Sequence, residues 1–140
     1  MFEECLYFNT NALARTVTRI WTEAFSKFDL SPSHAFLLRV VLTKPGLLPN
    51  ELAAELNLSR STVTRFLDSL EKRGFLYRSS TEDDGRELHI YPSESAKAIH
   101  HDLDSTGKEL TKLVKKVVGA SEITSTVSSL REIKTQLEKK

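Results

Sequence analysis

The stretch that decides the fold is PNELAAELNLSRSTVTRFLDSLEKRGFLYRSSTEDDGRELHIYP, running from Pro49 to Pro92. It opens with two short helical patterns separated only by Asn57, Leu58 and Ser59. In the first, Leu52, Ala53 and Leu56 share an apolar face. In the second, Val63, Phe66, Leu67 and Leu70 recur at three- and four-residue spacing and share another. Ser59 stands where a helix wants an N-cap, since its hydroxyl can accept an otherwise orphaned backbone N–H. Lys72 and Arg73 put cations at the negative pole of the second helix, and Gly74 stands just past its end. Two helices joined by so tight a turn form a helix-turn-helix.

The exposed side of the second helix carries the chemistry. Arg60, Ser61, Thr62, Thr64 and Arg65 lie in its first two turns, beside or opposite the apolar stripe. Helix N-terminal N–H groups and short hydroxyls bind phosphate, and arginine bonds bidentately to guanine in the major groove. A merely solvated face with a capping serine has the same composition, so the next segment tips the balance. Phe75–Ser80 and Glu87–Pro92 read as strands, with Phe75, Tyr77, Leu88, Ile90 and Tyr91 as strand formers. Between them lies a polar tip ending in Gly85 and Arg86. A β-hairpin directly after a helix-turn-helix is a wing. Arg86 is expected to enter the narrow, negative minor groove with Asp84 bracing its guanidinium. The bland alternative is a solvated hairpin loop. Its acids Glu82, Asp83 and Asp84 repel phosphate unless they pair with Arg86 or Arg78.

The run LSRSTVTRFLDSLEKRGFLYRSSTEDDGR, Leu58 to Arg86, resembles the core of the MarR family of bacterial transcriptional regulators. The matching features are a recognition helix beginning at Ser59, the Leu70-Glu71-x-x-Gly74 helix end and the Asp84-x-Arg86 wing tip. With helices flanking on both sides, the resemblance covers essentially the whole chain. It implies a homodimer in which each subunit carries a winged helix-turn-helix and a share of a helical dimerisation domain. Two positions depart from the family pattern. Leu48 stands where a polar cap is common, and Gly85 stands where a second basic residue is common, which implies a weaker minor-groove grip.

At 140 residues, with 39% hydrophobic and 28% charged residues, the chain has the size and composition of one globular domain. Its net charge of +1 excludes a polyelectrolyte binder. The basic excess is local: Leu58–Arg78 holds Arg60, Arg65, Lys72, Arg73 and Arg78 against Asp68 and Glu71. No apolar run approaches the roughly 18 residues of a membrane span, and Glu3 and Glu4 do not suit a signal peptide. A single cysteine rules out an internal disulfide. A cytoplasmic protein without membrane contact is the expectation. No Ser/His/Asp order, glycine-rich phosphate loop or metal-ligand spacing is present, so neither enzyme activity nor a cofactor is expected.

From Phe2 to Phe28 the chain lacks Pro and Gly and reads as helix. Leu13, Val17, Ile20, Ala24 and Phe28 form one stripe; Cys5, Phe8 and Ala12 form another. Two stripes need cover from two directions, its own body and a partner. Ser31-Pro32 caps and starts the next helix, with His34 exposed in its first turn, and Pro45-Gly46 stops it. Past the wing, Ala96, Ile99, Leu103, Thr106, Leu110, Leu113, Val117 and Ala120 keep a heptad seam that Gly119 interrupts. Ile123, Val127, Leu130, Ile133 and Leu137 make a last amphipathic helix. The expected class is therefore mainly α with a small β-wing (α+β). Residues 1–30 and 93–140 form a helical dimerisation region, and residues 31–92 a winged helix-turn-helix. Two recognition helices about 34 Å apart suit a palindromic double-stranded operator.

Three inputs are weighed for such a regulator. Some MarR-family members sense organic hydroperoxides through a lone cysteine near the start of the first helix, and Cys5 resembles that position loosely. The competing reading makes Cys5 a small buried apolar residue. A small aromatic or lipophilic effector is a common family mode; Trp21, Phe25, Phe36 and Leu103 are candidates to line its pocket, and equally serve as core. Metal is disfavoured, since His100 and His101 are adjacent on a helix and diverge. The resulting expectation is a dimeric DNA-binding regulator, most simply a repressor, released from its operator by a small-molecule or oxidative signal. Its major-groove residues are Arg60, Ser61, Thr62, Thr64 and Arg65, with Ser59 for capping and phosphate. The alternative is a winged-helix module that binds protein without specific DNA binding.

Overall fold

A computed structural model describes residues 1–81 and 84–140, and the side chains of all of these except 81 and 84–86. The order is α1 (Leu6–Phe25), a 3-10 turn (Ser26–Phe28), α2 (Pro32–Thr43), α3 (Pro49–Leu56), α4 (Arg60–Lys72), β1 (Leu76–Thr81), β2 (Asp84–Pro92), α5 (Glu94–Val118) and α6 (Ala120–Glu138). This is the mainly helical fold with one antiparallel hairpin that the sequence implied. The chain divides into two compact units, Met1–Asp104 and Ser105–Lys140.

Local chemistry sets the ends of the two central helices. Asn57 caps α3 in the left-handed region at φ 55°, a conformation asparagine tolerates better than most residues. Leu48, lacking a polar side chain, still begins α3, because Glu51 Oε1 accepts its backbone N–H at 2.9 Å. Ser59 is the N-cap of α4, its Oγ accepting from the Thr62 N–H at 3.2 Å. At the other end Gly74 takes φ 78°, Phe75 N–H reaches Leu70 O at 2.9 Å and Gly74 N–H reaches Glu71 O at 3.0 Å. That pair of bonds is the Schellman closure, which needs the conformational freedom of glycine at this position.

The hairpin is antiparallel with Tyr77 opposite Tyr91, and its register shifts between Ser80 and Thr81. Both strands run nearer the tip than the strand-forming residues suggested, and β1 begins at Leu76 rather than Phe75 because Phe75 closes the α4 cap. A bridge from Leu47 to Ile90 pins the hairpin base to the loop between α2 and α3. The core of the first unit is built from Leu37, Leu38 and Val41 of α2, Leu52 of α3, Val63, Leu67 and Leu70 of α4, and Ile90 of β2, all inaccessible to solvent. Within the second unit Gly119, at φ 119°, separates α5 from α6. Leu113, Val117, Val127, Leu130 and Leu137 of that unit are exposed.

Two expectations near the chain start are corrected. The first helix begins at Leu6, not Phe2: Cys5 is its N-cap, with Sγ 3.5 Å from the Phe8 N–H. The Asn9 carboxamide holds the preceding turn through the carbonyls of Phe2, Glu3 and Cys5 at 2.8–3.1 Å. His34 is half-buried rather than exposed, its ring edge-on to Phe66 of α4 with centroids 4.8 Å apart. Burial, with a smaller contribution from the Arg73 charge, holds its imidazole below the ordinary value of 6.5. Below pH 6.5 the unfolded chain therefore takes up a proton that the folded chain refuses. His34 thus costs no stability above its unfolded value, and lowers stability increasingly as pH falls from there toward the folded value. Denaturant unfolding at stepped pH is expected to show this loss, and His34→Gln to flatten that part of the profile.

Candidate nucleic-acid interface

Burying Val63, Leu67 and Leu70 turns the rest of the first turns of α4 outward. Arg60, Ser61, Thr64 and Arg65 are exposed there, as is Ser59, while Thr62 is half-buried. The hydroxyls are ordered among themselves. Ser59 Oγ donates to Thr62 Oγ1 at 2.8 Å and lies 3.2 Å from Ser61 Oγ. Thr64 Oγ1 donates back to the Arg60 carbonyl at 3.0 Å. Arg65 Nη2 is 3.5 Å from Thr62 Oγ1, a long contact within the helix. Arg60 Nη1 donates to Asn50 Oδ1 of α3 at 2.8 Å. The structure thus brings Ser59 and the five α4 residues to one helix end. It also adds Asn50, which no sequence pattern pointed to, because the ten-residue reach across the turn is a tertiary contact. The Asp84 and Arg86 side chains at the wing tip lie outside the described residues.

Arg78 of β1 faces inward instead of toward the wing tip. Its Nη1 donates to Glu71 Oε2 and its Nη2 to Asp68 Oδ1, each at 2.7 Å, and its side chain is only 20% exposed. Burial by itself would lower the guanidinium pKa, but the hydrogen bonds it donates to Glu71 and Asp68, with their charges, outweigh it and raise the value. The wing-tip acids Glu82, Asp83 and Asp84 lie outside the described side chains, and the bonds of Arg78 make a clamp between β1 and α4. It removes Arg78, Asp68 and Glu71 together from the local charge count. The exposed cations of α4 and its C-cap are then Arg60, Arg65, Lys72 and Arg73. Arg73 is 3.4 Å from Asp29.

The four residues suggested for an effector pocket divide. Phe25 and Leu103 are inaccessible to solvent and serve as core. Of the four suggested residues, Phe36 lines a groove among the described residues. This groove, of about 270 Å³, is bounded by Phe36, Arg39, Val40 and Thr43 of α2, its C-cap Lys44, Glu55 of α3 and Asp104 of α5. Arg39 Nε bonds Asp104 Oδ1 at 3.1 Å, and Lys44 pairs with Glu55. The Arg39 guanidinium sits 5.1 Å from the Phe36 ring centroid. The groove is thus bordered by two ion pairs rather than an all-apolar wall. His100 Nε2 lies 3.3 Å from Asp104 Oδ2. Cys5 is exposed, which overturns its reading as a buried apolar residue of its own subunit. No helix among the described residues is long and apolar enough to cross a membrane.

A helix-turn-helix with an outward-facing basic, hydroxyl-bearing second helix and an antiparallel hairpin behind it defines a winged-helix protein. Residues 28–87 match the model of the MarR family. The chain is 25% identical over 101 residues to the HTH-type transcriptional regulator YybA of Bacillus subtilis, a match covering 72% of this chain and 67% of YybA. A shorter match, 44% identical over 46 residues, covers 33% of this chain and 26% of the transcriptional repressor MprA of Escherichia coli. The fold is that of MepR of S. aureus, solved as a DNA complex, with a TM-score of 0.85 at 18% identity over 96% of this chain and 99% of MepR. Over residues 28–87 the chain is thus similar to the MarR family, and over most of its length it shares the fold of MarR-type structures.

Replacing Arg78 by Ala leaves two carboxylates without their shared partner and frees the hairpin from α4. Arg78→Ala is expected to lower stability by about 1–2 kcal/mol. Arg78→Lys should recover only part of the loss in denaturant titration, because an ammonium cannot span two acids as a planar fork does.

Proposed function

We propose that the chain is a homodimeric, cytoplasmic repressor that binds a palindromic double-stranded operator and leaves it when a small molecule or an oxidant acts. The observation that carries this reading is the α4 face itself. Arg60, Ser61, Thr64 and Arg65 are exposed together at a helix N-terminus whose opposite stripe is buried. In this reading Arg60 and Arg65 contact base edges and phosphates of the major groove, with Ser61, Thr62 and Thr64 beside them. Ser59 caps α4 and offers the helix N-terminus to a phosphate. Arg86, braced by Asp84, is assigned to the minor groove from the sequence pattern. The DNA complex of MepR and the repressor MprA support the DNA partner and the negative sign of regulation.

The dimer follows from apolar surface. Phe2, Leu6, Tyr7, Phe8, Leu13 and Val17 are exposed near the chain start, and Val127, Leu130, Ile133 and Leu137 on α6. Large exposed apolar side chains in such number favour an interaction surface, and a second copy supplies a matching one. Residues 1–30 and 93–140 are therefore assigned to dimerisation and residues 31–92 to DNA. For the signal, two inputs are assigned: an aromatic or lipophilic effector in the Phe36 groove, and a peroxide acting on exposed Cys5.

Titration of the protein with its own upstream DNA tests the core of this reading. Affinity is expected to fall steeply as salt rises, because each phosphate contact releases counterions. Arg65→Ala should weaken binding by about 1–3 kcal/mol. A flat salt dependence, or binding that ignores Arg65, would overturn the assignment of this face to DNA. Repeating the titration after an organic hydroperoxide separates the inputs. Release that occurs in the wild type and is absent in Cys5→Ser marks a thiol switch, whereas binding indifferent to peroxide returns the signal to the groove.

A further inference from the structure

This inference rests on the DNA-reading function proposed above and concerns the neighbour that holds Arg60. Arg60 is the first residue of α4, and its guanidinium turns back over the Asn57-Leu58-Ser59 turn to meet α3. There Nη1 donates to Asn50 Oδ1 at 2.8 Å. Both residues are exposed, so this bond is not needed to satisfy a buried group. Its effect is on orientation. A long arginine side chain at a helix start samples many rotamers, while bidentate recognition of guanine requires the planar fork in one pose. Engaging Nη1 sideways leaves the Nε–Nη2 edge, two parallel donors of the spacing that matches guanine O6 and N7. Arg65 offers an internal contrast. Its contact is a 3.5 Å approach to Thr62 on its own helix, with no tether to a second element among the bonds described.

We propose that Asn50 is a positioning residue that fixes Arg60 for a single base pair, so that the α3–α4 tether sets one position of the sequence preference. The preference at the base pair read by Arg65 is independent of Asn50. The remaining amide donors of Asn50 lie at the start of α3, where a backbone phosphate can accept them.

The test uses the full chain and a pool of randomised DNA duplexes. The wild type first defines an enriched motif, and Arg60→Ala identifies the base pair whose preference it controls. Asn50→Ala is expected to reduce discrimination at that base pair about tenfold and to leave the other positions unchanged. Asn50→Asp keeps an acceptor for Nη1, so it retains that preference while its added charge weakens binding to every sequence. In the Arg60→Ala background, Asn50→Ala has no further effect on the preference. Unchanged discrimination in Asn50→Ala overturns the proposal. So does a loss spread evenly over all positions, or one of equal size in both backgrounds. A wild-type chain that enriches no motif overturns the DNA-reading function itself, a result distinct from a motif that ignores Asn50.

Discussion

The burial of one stripe of α4 is the constraint from which the rest follows. Val63, Leu67 and Leu70 are inaccessible to solvent. Removing side chains of that size from water contributes roughly 1.5–3 kcal/mol each, which fixes the rotation of the helix about its axis. With that rotation fixed, the 3.6-residue period leaves Arg60, Ser61, Thr64 and Arg65 no direction but outward. The exposed polar face is thus a by-product of the core. A mutation that slips α4 by one residue would damage both together.

Electrostatics then sorts the basic residues into two kinds. Arg78 is a structural cation, shared between Asp68 and Glu71 and largely withdrawn from solvent. Arg60 and Arg65 are exposed, and their hydrogen bonds go to neutral oxygens rather than carboxylates. A neutral partner orients a guanidinium without cancelling its charge, so these two keep their field for an anionic ligand. The same distinction explains why a net charge near zero is compatible with a nucleic-acid reader. What matters is where the unpaired cations stand, and the clamp at Arg78 silences charges that the sequence would have counted.

The groove beside Phe36 and the exposed thiol of Cys5 show two different kinds of surface. The groove is organised by ion pairs, Arg39 with Asp104 and Lys44 with Glu55, so a ligand entering it meets fixed charges as well as the Phe36 ring. Cys5 is part of a helix cap, and oxidation there would disturb the first turn of α1 rather than a packed core. Large apolar side chains near it and on α6 are likewise exposed.

The sequence by itself determined the helix-turn-helix, the wing and the outward face of α4. Those features rest on local rules: apolar period, a serine cap at Ser59, and a glycine at Gly74 where the chain turns left-handed. It also carried the resemblance to the MarR family, because the Leu58–Arg86 run packs several such rules into fixed spacing. Tertiary structure decided which like-looking residues differ. Phe25 and Leu103 became core while Phe36 borders a groove, because burial depends on which elements cover a helix face from several sides. Arg78 went to α4 and His34 to Phe66 for the same reason, since partners seven to dozens of residues away leave no periodic trace. The tether from Asn50 to Arg60 belongs to this second group: it exists only because the turn at Asn57 folds the start of α3 against the start of α4.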